Sequence, residues 1–534
     1  MKMKYLVLAI SASALLYGCG GDSDNNNGNN NGDGGNPGND SSLSFNEKQV
    51  SSEWYQQGEA VVAAAKEQQI VNEKGAAKNV ILFVGDGMGI STVTAARILA
   101  GQMQGLDGEE YQLSFEKMPF SGLVKTYNTN QQTPDSAGTM TAMMSGVKTK
   151  AGVIGVAEEA SRADCGSSQG KGLVTALELA EDMGKATGVL STARITHATP
   201  AATYAKSPER NWESDDGLTD EAVANGCKDI ADQLVSFDIG DGIDVVLGGG
   251  RRHFLPSESG GKRTDGRDLT AEWKNAHPTG SYVQTGSEFA ALDAASVDQV
   301  LGLFTSSHMS YDADREANAK DEPSLTEMTS KSIDILSRDE DGYFLMVESG
   351  RIDHGHHAGS AYTALTDAVE FSNAIQAAMD KTSAEDTLII VTADHSHVFT
   401  IAGYPTRGNP ILGKVVTNDS SGEPESEPSL AADSMPYTTL GYTNGLGFAD
   451  LGDVHDADAR YGAASDTGRK DLAAVETQSP GYHQEALVPL GSETHAGEDV
   501  GVWARGPGAH LLTGTNEQSL VFHVMAHAGG LLPE

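Results

Sequence analysis

The stretch Tyr343-Phe344-Leu345-Met346-Val347-Glu348-Ser349-Gly350-Arg351-Ile352-Asp353-His354-Gly355-His356-His357 decides how this chain folds. Its first five residues are continuously apolar, the mark of a strand buried on both faces. The run then breaks into Glu348, Asp353, His354, His356 and His357. So many acids and imidazoles in one short stretch are costly to hold together unless a cation sits among them. Asp353 and His357, spaced i and i+4, fall on one helical face a turn apart, a spacing suited to chelation. A solvated strand-to-helix loop would account for one such residue, but not for this density directly after a buried strand.

Working outward, the same pattern recurs. Val80 to Val84 leads into Gly85-Asp86-Gly87-Met88-Gly89, and Gly188 to Leu190 leads toward Arg194-Ile195-Thr196-His197. Asp244 to Leu247 precedes Gly248-Gly249-Gly250, and Leu388 to Val391 precedes Thr392-Ala393-Asp394-His395-Ser396-His397. Helical patterns fill the intervals, for example 172–183, 324–337 and 361–379. Apolar strands alternating with helices predict an α/β fold of three layers, a mainly parallel central sheet flanked by helices. In such sheets, sites form beyond the carboxyl ends of the strands, where these Asp, Glu and His residues recur. Residues 405–491 break the pattern with Gly, Pro, Ser, Asp and Glu and read as an inserted surface subdomain. Val500 to Ala504 resumes the core, and 517–527 reads as a closing helix.

The first 44 residues do not belong to that fold. Lys2 and Lys4 followed by the apolar Leu6 to Leu16 read as a signal peptide over 1–18, too short for a membrane span. Leu16-Tyr17-Gly18-Cys19 resembles a bacterial lipobox, with Cys19 as the lipidated residue and 19–44 a flexible Gly/Asn/Asp linker. Tyr17 is not the usual small residue there, so cleavage without lipidation stays open. The expected destination is the periplasm or cell surface, anchored by lipid to the outer membrane. Across 534 residues, 36 Lys and Arg face 75 Asp and Glu, a net charge of −39. That balance argues against non-specific binding to nucleic acid or to an anionic membrane surface, so no specific nucleic-acid partner is expected and the membrane is reached through a lipid anchor only. An anionic substrate would need positive charge supplied locally. Cys165 and Cys227 face an oxidising compartment, where a disulfide and two buried thiols are both open readings.

A second signal is Thr133-Pro134-Asp135-Ser136-Ala137-Gly138-Thr139. Asp135 or Ser136 can cap the helix that follows, which would aim a hydroxyl at an anion-binding helix terminus. Together with Gly85-Asp86-Gly87-Met88-Gly89, Gly350 to His357, Thr392 to His397 and Glu493-Thr494-His495-Ala496-Gly497-Glu498-Asp499, it closely resembles the alkaline phosphatases, nearer the animal-type members than the enteric bacterial one. The resemblance runs from about residue 50 to the C-terminus and makes 45–534 a catalytic domain, with 405–491 similar to the animal-type crown but longer.

The resemblance implies two zinc ions and one magnesium per chain. Asp353, His357 and His495 match the ligands of the first zinc, and Asp86, Asp394 and His395 those of the second. Asp86, Thr199 and Glu348 match the magnesium ligands, a set of oxygens alone. Arg210 matches the guanidinium that grips phosphate, and His197 a neighbour of the magnesium site. His354, His356 and His397 are expected to orient the loop or pack. Ser136 is then the nucleophile in hydrolysis of small phosphate monoesters at alkaline pH, over a broad range of leaving groups and through a phosphoserine. Cys165 and Cys227 align with a family disulfide, and the helical 47–73 resembles an arm that embraces a second subunit, implying a homodimer. One departure is Thr305, which follows Gly302-Leu303-Phe304 where animal-type members place an acidic residue of an additional calcium site. The alternatives are a phosphodiesterase or sulfatase on the same architecture, and a tethered metal-binding protein without catalysis.

Overall fold

The computed structural model describes residues 76–464 and 468–531. The signal peptide, Cys19, the linker and the 47–73 helix expected from the sequence lie outside them. A ten-stranded sheet forms the centre. Its first eight strands are β1 (Asn79–Gly85), β2 (Phe120–Lys125), β3 (Ala186–Arg194), β4 (Val245–Gly249), β5 (Ser281–Val283), β6 (Val300–Leu303), β7 (Tyr343–Ser349) and β8 (Thr387–Ala393). The strands Val500–Arg505 and Gly514–Glu517 complete it. Across the sheet the order is Gly514–Glu517, β2, Val500–Arg505, β8, β1, β7, β3, β4, β6, β5. Only Val500–Arg505 runs antiparallel to its neighbours.

The middle strands explain their own sequences. β1 pairs with β8 on one side and β7 on the other, and Ile81, Leu82, Phe83 and Val84 are fully buried. Each such side chain contributes roughly 2 kcal/mol by leaving water, so a continuous apolar run is what a doubly covered central strand requires. Phe83 packs edge-on against Phe371 of the long helix Ala361–Lys381. The strands that carry the Asp, Glu and His residues, β8, β1, β7 and β3, are consecutive in the sheet. Their carboxyl ends therefore open onto one place.

Several boundaries differ from the sequence reading, among them the helix expected over 361–379, which runs Ala361–Lys381. The helix expected over 172–183 is Ala176–Asp182, started by a Thr175–Glu178 capping box. Residue 517 belongs to a strand rather than to the last helix, which is Leu520–Ala528: Gly514 to Glu517 pair with β2. Within 405–491, Leu440–Gly445 and Ala486–Pro489 join Phe399–Ile401 in a three-stranded sheet, and Ala449–Asp450 pairs with Tyr482–His483. Cys165 and Cys227 form a disulfide closing a 62-residue separation, and Cys165 packs with the buried Trp212, two residues beyond Arg210. By loop entropy, such a link disfavours the unfolded chain by about 4 kcal/mol. Among the described residues, no helix is long and apolar enough to cross a membrane.

Candidate functional site

Register places the first acids. Gly85 and Ala393 pair across β1 and β8, so Asp86 and Asp394 emerge side by side as the ladder ends. Glu348 opposes Val84 on one side and Ser191 on the other, one position below the rim. Gly87 makes the turn after β1 with a φ of 68°, and a Cβ there would collide with the His397 ring, so only glycine fits. Its amide donates to Asp394 Oδ1 at 3.0 Å.

Asp135, not Ser136, is the cap of the helix Ser136–Ser145: its Oδ1 accepts from Gly138 N at 3.2 Å. Ser136 is therefore the first helical residue, where unsatisfied amides favour negative charge. Its Oγ lies 3.1 Å from His395 Nε2 and 3.5 Å from Asp86 Oδ1. His395 Nε2 in turn stands 3.3 Å from Asp86 and 3.4 Å from Asp394. Asp135 Oδ2 receives Arg210 at 3.0 Å, and the other arm of the guanidinium meets His197 Nε2 at 3.2 Å.

A second group lies closer to solvent. The short helix Arg351–His357 brings Asp353 Oδ1 to 3.3 Å from His357 Nε2, the one-turn spacing expected of i and i+4. His495, paired with His397 in a two-residue antiparallel bridge, adds its Nε2 at 3.4 Å from Asp353 and 3.2 Å from His357. The far nitrogens of both imidazoles face backbone carbonyls, His357 on Glu493 and His495 on Pro134. That arrangement leaves both Nε2 atoms free to bind a cation.

A third group, Asp86, His197 and Glu348, shares Asp86 with the first. The buried oxygens Asp86 Oδ2, Thr199 Oγ1, Glu348 Oε1 and Asp394 Oδ2 have no hydrogen-bond partner. Unsatisfied buried oxygens at this density suit a hard divalent cation. Electrostatics agree: burial, then the charges of Asp394, Asp353 and Glu348, hold the Asp86 carboxyl well above the usual range. Burial also lifts Glu348 to about 7, with Asp394 adding to it and the Ser191 hydroxyl opposing. Cations would offset that repulsion.

The acids, imidazoles, Ser136 and Arg210 singled out from the sequence lie among these groups or bonded to them, with Thr199 beside Glu348, while Cys19 lies outside the described residues. One that sequence reasoning left without a role is Glu493. Its carboxylate receives His397 Nδ1 at 2.6 Å and Val398 N at 2.9 Å, while His397 Nε2 holds Asp353 Oδ1 at 2.8 Å. Burial alone would lower His397, but Glu493 and Asp353 override it and hold the imidazole at about 10. The signal available beforehand was its place two residues before His495. His356 is occupied by Thr92 and Tyr442, and His354 packs on His308. Thr305 turns its hydroxyl onto the carbonyls of Ser307 and His308.

Comparison with known proteins agrees with this geometry. Residues 77–531 match the alkaline phosphatase family profile. The tissue-nonspecific alkaline phosphatase of Gallus gallus is 44% identical over 494 residues, covering 90% of this chain and 89% of that one. An alkaline phosphatase of Gadus morhua is 43% identical, covering 85% and 92%. Among solved structures, the Thermus thermophilus alkaline phosphatase aligns with a TM-score of 0.59 at 25% identity, over 86% of this chain and 93% of that one. The alkaline phosphatase of the Antarctic bacterium TAB5 aligns at 0.57 and 23%, over 86% and 100%. Profile, relatives and sheet together establish that the chain belongs to the alkaline phosphatase family.

Proposed function

We propose that the chain hydrolyses phosphate monoesters to an alcohol and inorganic phosphate through a phosphoserine on Ser136. The observation that carries this is the Ser136 hydroxyl at a helix start, within 3.5 Å of Asp86 and 3.1 Å of His395. Relatives named alkaline phosphatases at 44% identity support it. In this reading Asp353, His357 and His495 hold one zinc, Asp86, Asp394 and His395 a second, and Asp86, Thr199 and Glu348 a magnesium. One solved relative, a mutant of the TAB5 enzyme, has Mg bound in its M3 site. Bound there, these ions supply Lewis acidity to the attacking, departing and non-bridging oxygens and the positive charge that a −39 chain lacks overall.

The chain's own groups do the rest. Ser136 Oγ gives up its proton and attacks phosphorus in line as the ester P–O bond breaks. The departing alkoxide takes a proton from water to leave as the alcohol, and the Ser136 helix start faces the charge on the phosphoryl oxygens. Arg210, held on one arm by Asp135 and on the other by His197, presents a planar fork to two of those oxygens. Water then cleaves the phosphoserine and returns the hydroxyl. In-line attack on phosphorus demands little shape of the leaving group, so a broad range of monoesters is expected. The leader pattern of residues 1–18 and the helical composition of the sequence over 47–73 extend the proposal to an exported, lipid-anchored homodimer. The test is the purified protein's rate on a monoester, a diester and a sulfate ester at alkaline pH: the monoester is expected to dominate, and a faster diester or sulfate would overturn the reading.

Glu493 carries a separate expectation. Glu493→Gln removes the carboxylate that holds His397 on Asp353, and zinc affinity at the Asp353–His357–His495 group falls about 10- to 100-fold in chelator competition. Thermal unfolding of the same variant verifies that the fold persists.

A further inference from the structure

The segment carrying Asp456 to Gly462 links the 405–491 insert to the helix that bears Asp353 and His357. Its turn Ala457–Gly462 is anchored by Arg460, which is fully buried and donates to the carbonyls of Leu446 at 2.9 Å and Gly447 at 3.3 Å. Asp458 reaches the opposite way. Its Oδ2 lies 2.9 Å from Arg351, and its Oδ1 accepts from the Tyr311 hydroxyl at 2.7 Å. The Arg351 guanidinium lies 3.5 Å over the Tyr311 ring, and both residues are buried. Arg351 opens the helix Arg351–His357, two residues before Asp353. At the other end of that helix, Tyr461 Oη stands 3.3 Å from Ser492 Oγ, which donates to the His357 carbonyl at 3.3 Å. The insert thus bonds the start of the helix directly through Asp458 and reaches its end through Ser492, the residue just beyond the insert.

An exposed ion pair contributes little, but this one has a buried cation on one side. Removing Asp458 leaves Arg351 enclosed without its bonded carboxylate, and the cheapest relief is for the start of the helix to move. Asp353 would move with it. We propose that Asp458 is a positioning residue: through Arg351 and Tyr311 it sets the helix pose in which Asp353, His357 and His495 converge. The inference rests on the reading of that group as a zinc site.

The experiment is zinc release from the holoenzyme to an excess of a colorimetric chelator. The wild type is expected to release its zinc in two phases. Asp458→Asn accelerates one phase about tenfold and leaves the other unchanged. Tyr311→Phe, which keeps the ring under Arg351, accelerates the same phase less. Asp433→Ala, which breaks an exposed pair with Arg469 elsewhere in the insert, changes neither phase. Unchanged release in Asp458→Asn and Tyr311→Phe, or equal acceleration of both phases in all three variants, would overturn the positioning role. A wild type that carries no zinc overturns the metal reading itself, and the inference with it.

Discussion

Ser136→Ala reduces phosphate release from a monoester by about 10³-fold or more while the protein keeps its fold and its metals. The hydroxyl supplies the bond to phosphorus from its place against Asp86 and His395. Losing one buried hydroxyl costs only about 1 kcal/mol of stability, so the effect is chemical. Asp86, Asp394 and His395 are untouched by the change, and metal content is expected to match the wild type by mass spectrometry. Brief exposure to labelled substrate followed by acid quench marks the wild type on Ser136 and leaves the alanine variant unlabelled. A variant that retained a tenth of wild-type turnover would remove Ser136 from the chemistry.

Asp86→Asn is expected to lower activity on the order of 10³-fold by a different route. One Asp86 oxygen faces His395 and Ser136, the other has no hydrogen-bond partner, and the residue also stands in the group with His197 and Glu348. In the proposed reading the carboxylate serves two cation sites at once, and the amide would serve both poorly. Metal analysis should show loss of both magnesium and part of the zinc. Glu348→Gln, in contrast, should lose magnesium and keep its zinc. If both variants shed the same metals, the sharing of Asp86 would be wrong.

Most of the candidate site was legible beforehand because its acids sit where buried strands end. Val80 to Val84, Leu345 to Val347 and Leu388 to Val391 are continuous apolar runs, and each points at its acid. The edges of the sheet were harder. β2, Phe-Ser-Gly-Leu-Val-Lys, is exposed at Ser121 and Leu123's positions and lacks an apolar run, because a strand covered on one face alternates. Gly514-Thr515-Asn516-Glu517 has almost no apolar content and is a strand only because β2 offers it a ladder. Glu493 escaped for another reason. Its value lies in a 96-residue separation from His397, a contact that no local spacing announces. The clasp of Asp458 on Arg351, 107 residues apart, is equally silent in the sequence.

The pairing of Gly85 with Ala393 also constrains how this chain can vary. Adjacent parallel strands fix their first residues beyond the ladder as firmly as neighbouring rungs, so the gap between Asp86 and Asp394 is set by backbone hydrogen bonds. One residue gained or lost inside β1 or β8 would turn the acid to the opposite face of the sheet. Length changes are therefore confined to the connections away from these strand tips, and a stretch such as 405–491 can grow or shrink without disturbing the distance on which the two carboxylates depend.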